Sequence, residues 1–252
     1  MTKSKLDISR ASESIKDHRF VEALSLLEGN LSKDPQHIDS LYLASVCSRY
    51  LKNYKDSQKY LETVLAISPD MGRAYQELGH LMRDSGNEES SISYYRQACE
   101  LNPALLSSWT SLYNYFVKIK NKPAADHALT QMNTLKSIPG SLLYISQILN
   151  EGRLGLAETK CREFLKKNPT HTYAMSLLSQ IADKLGYFDD AEFLLENAVK
   201  FKPKDGELRM KYAMILRKKQ KFAKTMEQVN ILCDMYPDNL SYQAQKASEI
   251  MQ

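Results

Sequence analysis

The chain has 252 residues, of which 43% are hydrophobic and 25% charged, and its formal net charge at pH 7 is +4. A positive charge this small does not by itself indicate a nucleic-acid-binding protein. The hydrophobic fraction is enough for a continuous core, whereas nine glycines are few for a β-rich chain with many tight turns.

Six of the eight prolines recur at a nearly constant interval. They are Pro35, Pro69, Pro103, Pro169, Pro203 and Pro237. The intervals are 34, 34, 66, 34 and 34 residues, and 66 is two steps of 33 with one proline missing. Because proline donates no backbone hydrogen bond and disfavours helix at the preceding residue, each one predicts a helix end. Periods of this length are typical of stacked structural repeats.

Placing each of these prolines at position 32 of a 34-residue unit divides the chain into seven helix–turn–helix units. The units cover about residues 4–37, 38–71, 72–105, 106–138, 139–171, 172–205 and 206–239, and a terminal helix is predicted over residues 240–252. The fourth and fifth units are degenerate, because Ser137 stands where a proline is expected and Pro139 follows two residues late.

The third unit shows the pattern within a unit most clearly. Tyr75, Leu78, Gly79 and Met82 are spaced by three and four residues, which predicts an amphipathic helix. Gly86 is predicted to end that helix, since glycine readily adopts the left-handed conformation found at helix C-termini. A second helix is then expected up to the next proline.

These residues resemble the tetratricopeptide repeat, a helix–turn–helix unit of about 34 residues. The resemblance covers nearly the whole chain and implies an all-α fold: a right-handed α-solenoid of about seven units plus a C-terminal helix, forming one domain over residues 1–252. It also implies small residues at positions 8 and 20, where the two helices of a unit cross closely. Position 20 holds Ala23, Ser57, Ser91, Ala125, Ala157, Ala191 and Thr225. Position 8 is small in most units but holds Tyr113 in the fourth.

The resemblance further implies a concave groove lined by the first helix of each unit, which would bind a peptide or protein segment. The groove residues are predicted to be Tyr42, Val46, Arg49, Tyr50, Arg73, Gln76, His80, Arg83, Thr110, Asn114, Lys118, Tyr144 and Gln147. Tyrosines offer contact area at low entropic cost, amides pair with an extended backbone, and the cations could meet carboxylates. The alternative is that these are solvated residues of a spacer.

A narrower resemblance comes from the order of the later units. The fifth unit, with its segments LAE, CREFL and NP, and the regular units that follow it look like the N-terminal repeat region of bacterial tetratricopeptide-repeat proteins with a C-terminal sulfotransferase domain. The phosphosulfate-binding loop that such an enzyme needs does not occur in these 252 residues. The alternative function is therefore a substrate-recruiting arm whose catalytic domain is absent from this chain, and no catalytic residue is carried over.

No catalytic, cofactor-binding or metal-binding residues are predicted. The chain contains no phosphate-binding, dinucleotide-binding, serine-hydrolase or zinc-protease motif. Its five histidines are scattered along the units without a second ligand at metal-binding spacing. The four cysteines lie too far apart in sequence for such a site and are expected to be buried and reduced.

A cytoplasmic protein is predicted, since the N-terminal residues lead into no apolar segment and no window contains 18 apolar residues. A basic stretch over residues 200–224 contains ten lysines and arginines against Asp205 and Glu207. It raises a second alternative, an adaptor for nucleic acid or an anionic membrane. The favoured interpretation is a solvated face, so that a nucleic-acid partner is not expected.

The terminal helix leaves one more question open. Its predicted exposed apolar face consists of Tyr242, Ala244, Ala247, Ile250 and Met251. Such a helix is either a solubilising cap of the repeat array or the edge of a longer protein, and its exposed face would permit self-association.

Overall fold

The computed structural model describes residues 3–250, and within them it contains fifteen α-helices and no strand. The predicted all-α solenoid is confirmed as a fold class, because the helices follow one another as antiparallel pairs joined by short turns. The last two residues of the predicted terminal helix, 251 and 252, lie outside the described part of the chain.

The chain divides into two compact bodies on either side of the bond between Pro139 and Gly140. The N-terminal body contains α1 (Lys3–Lys16), α2 (Phe20–Leu31), α3 (Ile38–Tyr50), α4 (Tyr54–Ile67), α5 (Gly72–Asp84), α6 (Glu88–Leu101), α7 (Leu106–Lys118) and α8 (Lys122–Lys136). The C-terminal body contains α9 (Gly140–Asn150), α10 (Leu154–Lys167), α11 (Thr172–Lys184), α12 (Phe188–Phe201), α13 (Gly206–Lys218), α14 (Phe222–Met235) and α15 (Leu240–Ile250). A single domain over residues 1–252 stays a prediction.

Helix pairs stack in order within each body. In the N-terminal body the second helix of each pair packs on the first helix of the next, and α1, α3, α5 and α7 also contact one another in sequence. In the C-terminal body α10 packs on α11, and α12 packs on α13. Each pair therefore buries its apolar faces against its own partner helix and against the neighbouring pair, which is how a repeat array builds one continuous core.

All six prolines of the regular series lie in the turns between helix pairs, as predicted. The turn inside each pair contains one residue with positive φ at the equivalent place. These residues are His18, Lys52, Gly86, Lys120, Gly152, Gly186 and Gln220. Only three of the seven are glycine, so the other four turns bear a local cost of roughly 1–2 kcal/mol each. The packing of the two helices, more than the residue type, imposes this turn.

The small residues at position 20 are all buried, with an exposed fraction of 6% or less in every unit. The close crossing that they permit is clearest in the third unit, where α5 and α6 meet at Gly79. A Cβ atom on Gly79 would lie 2.6 Å from the ring of Tyr95, which is itself fully buried. Ser91 also donates a hydrogen bond of 2.9 Å to the carbonyl oxygen of Gly79.

The terminal helix α15 packs on α14. Tyr242 is half-buried against Ala213, Val229 and Cys233, and Arg217 pairs with Glu249 at 2.9 Å. The prediction that Tyr242 lies on an exposed face is therefore wrong, because its ring packs on the preceding pair. Ala244 and Ala247 are exposed, as predicted, whereas the side chain of Ile250, and Met251, lie outside the described residues. Self-association stays a prediction.

Burial of the cysteines is confirmed. Cys47, Cys99, Cys161 and Cys233 are buried and free, and burial raises the pKa of the first three thiols to about 12. None of the described helices has the length and apolar character required to cross a bilayer.

We expect Gly79→Ala to lower the free energy of unfolding by about 1–3 kcal/mol, because the added methyl must displace the buried ring of Tyr95. The matched control is Gly29→Ala in α2, where an added Cβ would meet no atom within 4 Å. That change should raise stability by about 0.5–1 kcal/mol through helix propensity alone. Urea unfolding measures the free energy of unfolding of both variants. Equal effects at the two positions would contradict the close crossing of α5 and α6.

Candidate functional site

The thirteen predicted groove residues are divided between the two bodies. Eleven of them lie on α3, α5 and α7 of the N-terminal body, which contact one another in that order. Tyr144 and Gln147 lie on α9 of the C-terminal body, where Tyr144 is 40% exposed and Gln147 is half-buried. We call the surface formed by α3, α5 and α7 the first-helix surface.

Accessibility differs widely along the first-helix surface. Tyr50, Arg83, Asn114 and Lys118 are exposed. The half-buried residues are Tyr42, Val46, Arg73, Gln76, His80 and Thr110. Three of the four exposed residues, Tyr50, Arg83 and Lys118, occupy the last two positions of their helices.

Arg49 departs from the prediction, because it is buried and does not face an open groove. Its exposed fraction is 7%, its Nε donates to Oε1 of Glu77 at 2.5 Å, and its NH1 donates to Oδ2 of Asp84 at 2.7 Å. Burial disfavours the charged guanidinium, but the two carboxylates outweigh it and raise the pKa of Arg49. This ion pair joins α3 to α5, so Arg49 is not available to a partner's carboxylate.

A signal for this pair exists in the aligned sequence. Arg49 stands at position 12 of one unit and Glu77 at position 6 of the next, so that they lie on the first helices of adjacent units. Opposite charges on such neighbouring positions predict a contact. The sequence does not reveal its burial, which depends on how closely α3 and α5 approach.

Aromatic rings hold two further residues of the surface. The ring of Tyr50 stacks on Phe20 with a centroid distance of 4.4 Å and an interplanar angle of 5°. The guanidinium of Arg49 lies 4.4 Å from the centroid of Tyr50, and that of Arg73 lies 5.0 Å from the centroid of Tyr42. Tyr50 is therefore held between two neighbours although it is 53% exposed.

His80 connects three helices at the middle of the surface. Its Nδ1 lies 2.6 Å from the hydroxyl of Tyr95 on α6, and its Nε2 lies 3.4 Å from Oγ of Ser107 on α7. Burial, together with the charges of Arg49 and Arg83, lowers the pKa of His80 to about 4. The imidazole is therefore neutral at pH 7, and when Tyr95 donates to Nδ1 the proton resides on Nε2, on the side of Ser107.

Polar contacts involve three further residues of the surface. Ser108 on α7 donates to Oε1 of Gln76 at 3.1 Å, and Thr110 donates to the carbonyl of Leu106 at 2.8 Å. Lys118 contacts both carboxylate oxygens of Glu88 at 2.7 Å. That last pair is largely exposed, so it contributes little to stability.

The basic stretch over residues 200–224 is extensively paired with carboxylates of the same chain. Six of its ten cations form salt bridges: Lys200, Lys211, Arg217, Lys218, Lys219 and Lys221. Lys219 and Lys221 share Glu192, and Lys218 meets Asp183 at 2.6 Å. This pairing reduces the uncompensated positive charge of the stretch and favours a structural role.

No three histidine, cysteine or acidic side chains gather as candidate metal ligands in the part of the chain that is described.

We expect Arg49→Met to lower the free energy of unfolding by about 3–5 kcal/mol, because it leaves the buried Glu77 carboxylate without its cation. The double variant Arg49→Met/Glu77→Leu should recover most of that loss, since it removes both charges. Denaturant unfolding of the single and double variants measures the coupling. A cost below about 1 kcal/mol for the single variant would contradict a buried pair.

The pKa of His80 predicts a pH dependence of stability. Between pH 6.5 and 4 the unfolded chain binds a proton at this histidine that the folded chain does not, so folding stability falls as the pH falls. Relative to His80→Gln, the wild type should lose up to about 3 kcal/mol over this range. Unfolding free energies measured across the range test this, and parallel curves for the two proteins would disprove it.

Comparisons with known proteins identify the repeat. A tetratricopeptide repeat family model matches residues 38–71, 72–105 and 172–205. No curated protein matches the chain. Nothing in the comparisons supports the narrower resemblance to sulfotransferase fusions, which stays a prediction.

Solved structures of low sequence identity share similarity with the chain. The structure of Naa15/Naa10 bound to HypK-THB is 18% identical with a TM-score of 0.47, over 99% of this chain and 39% of that chain. A thermophilic tetratricopeptide repeat protein of Thermus thermophilus is 15% identical with a TM-score of 0.37, over 99% of this chain and 100% of that one. YrrB, described as a tetratricopeptide repeat protein with an unusual peptide-binding site, is 14% identical with a TM-score of 0.40, over 74% of this chain and 97% of that one.

The helix pairs α3–α4, α5–α6 and α11–α12 coincide with the three stretches that the family model matches. At least one helix pair in each of the two bodies therefore matches the tetratricopeptide repeat.

Proposed function

We propose that this chain is a non-catalytic scaffold that binds a peptide or protein segment on the first-helix surface. The observation that carries the proposal is that polar and aromatic side chains of this surface are already held by contacts within the body. Arg73 lies over Tyr42, Tyr50 stacks on Phe20, and His80 is joined to Tyr95. Side chains fixed in advance lose less entropy on binding, which is the advantage of a preorganised site.

The charges of the surface indicate what kind of contact would dominate. Arg83 pairs with Asp84 at 2.9 Å and Lys118 pairs with Glu88, so the exposed cations already face carboxylates of the same chain. A partner would therefore gain more from ring contacts and hydrogen bonds than from net charge. The neutral imidazole of His80 and the exposed side-chain amide of Asn114 are suited to form hydrogen bonds with the backbone of an extended or helical segment.

A cytoplasmic location belongs to the proposal and suits four free, buried cysteines. Two other functions stay predictions: the recruiting arm of a sulfotransferase, and an adaptor using residues 200–224. No contact described above favours either of them, and the pairing of the basic stretch reduces the charge that the second would need.

The test is a charge reversal on the surface with a matched control elsewhere on the same body. The double variant Arg73→Glu/Arg83→Glu removes the guanidinium that lies over the ring of Tyr42 and the one that pairs with Asp84, and it places two acidic residues on α5. The control, Lys55→Glu/Lys59→Glu, makes the same change in charge on two exposed residues of α4. Each protein is used to capture partners from a lysate, and mass spectrometry quantifies them. We expect the wild type and the control to capture the same proteins, and the surface variant to recover at least ten-fold less of them.

Circular dichroism of all three proteins must show the same helix content for the comparison to apply to binding. If the surface variant retains every partner of the wild type, the first-helix surface is not the binding site. If the control loses the same partners, binding follows net charge instead of this surface.

A further inference from the structure

A groove with apolar walls opens on the C-terminal body, and none of the thirteen predicted groove residues lines it. Its floor includes the buried Leu178 and Ile181 of α11. Three large apolar side chains at its edge remain exposed: Leu185 to 37%, Tyr187 to 59% and Phe193 to 66%. We call it the α10–α12 groove, since its lining comes from α10, α11, α12 and the turn between the last two.

The third unit of the same chain shows that the fold does not require these apolar side chains. Residues 172–205 and 72–105 match the same repeat model, and their helices have equivalent bounds one hundred residues apart. At the positions of Leu185, Tyr187 and Phe193, the third unit has Ser85, Asn87 and Ser93, all of them exposed. The same backbone is therefore built there with polar residues.

The second unit supports this comparison at two of the three positions. Residues 38–71 have Asn53 and Lys59 at the positions of Tyr187 and Phe193, although Leu51 keeps the apolar character of Leu185. Exposed aromatic side chains cost solubility and contribute little to folding. A cluster that repeats of equal structure lack is therefore characteristic of an interaction surface.

The size of the groove limits what it can hold. It encloses about 240 Å³, whereas an apolar cavity of about 150 Å³ accommodates benzene. The groove is thus large enough for one aromatic or leucine side chain and too small for a whole helix. An anchor side chain inserted between Phe193 and the floor would be shielded from water on several sides.

The charges at the edge of the groove indicate which residue of the partner would lie beside the anchor side chain. Asp190 lines the groove, is exposed, and forms no salt bridge with any described residue. The one cation of the lining, Arg162, is turned to Glu158, with its Nε 2.8 Å from Oε1. The lining therefore has one uncompensated negative charge, which a lysine or arginine near the anchor would complement.

We propose that the α10–α12 groove binds a segment of another protein in which an aromatic or leucine side chain is followed within about four residues by lysine or arginine. The proposal is independent of the first-helix surface, which belongs to the other body. In this proposal the groove provides affinity by burying the anchor side chain, and Asp190 provides specificity by pairing with the basic residue.

The test uses the full chain and a variant built from its own third unit, Leu185→Ser/Tyr187→Asn/Phe193→Ser. Random peptides displayed on phage are selected on the wild type, after removal of those that bind this variant. We expect the selected peptides to contain an aromatic or leucine followed by lysine or arginine. Synthesised peptides should bind the variant at least ten-fold more weakly than the wild type in fluorescence polarisation.

Three further variants sharpen the result. Asp190→Ser, which copies Ser90 of the third unit, should abolish the preference for a basic residue while keeping that for the anchor. Phe201→Ser, on α12 but outside the groove and 51% exposed, should leave binding unchanged. Arg73→Glu/Arg83→Glu should also bind the peptides normally, which separates this groove from the first-helix surface. If the triple variant does not fold, Phe193→Ser alone replaces it.

Several outcomes would overturn the proposal. One is a selection that returns no peptide distinguishing the wild type from the variant, or only peptides with acidic residues beside the anchor. Another is sedimentation of the wild type as a dimer that Phe193→Ser abolishes, because the occupant would then be a second copy of this chain. Loss of binding in Phe201→Ser equal to that in Phe193→Ser would show nonspecific adsorption to exposed rings.

Discussion

The close crossing of the two helices in each pair is the constraint on which the rest of this structure depends. Small residues at position 20 are buried in all seven pairs, and Gly79 meets the ring of Tyr95 where any side chain would collide. Because the helices approach this closely, the turn between them is short enough to require a left-handed residue. Four turns adopt that conformation without glycine, which indicates that packing between the helices outweighs the local cost.

Contacts between successive pairs decide which side chains remain available to a partner. The buried pair of Arg49 with Glu77 joins α3 to α5, and His80 joins α5 to α6 and α7. These contacts withdraw one predicted cation from the surface and keep one histidine neutral. They also hold the neighbouring tyrosines in place, so that the same interactions that stabilise the array shape the surface on which binding is proposed.

Repetition within one chain provides an internal standard for separating structure from function. Where units of equal backbone differ at exposed positions, the fold cannot be the reason for the difference. Phe193 and Ser93 occupy equivalent places on α12 and α6, yet one is an exposed ring and the other a hydroxyl. The repeat pattern has a second irregularity, because the proline of the regular series is missing near Ser137. This place lies beside the division between the two bodies.

The sequence by itself determined the helix pairs, the turns at the regular prolines and the end of α5 near Gly86, whereas the burial of the small positions was implied by its resemblance to a known repeat. These features depend on periodicity and on backbone preferences that act over a few residues. Only the tertiary structure decided that Arg49 is buried, that Tyr242 packs on the preceding pair and that Leu185, Tyr187 and Phe193 surround one groove. Each of these depends on the distance between helices that are separated in sequence, and no local pattern encodes that distance.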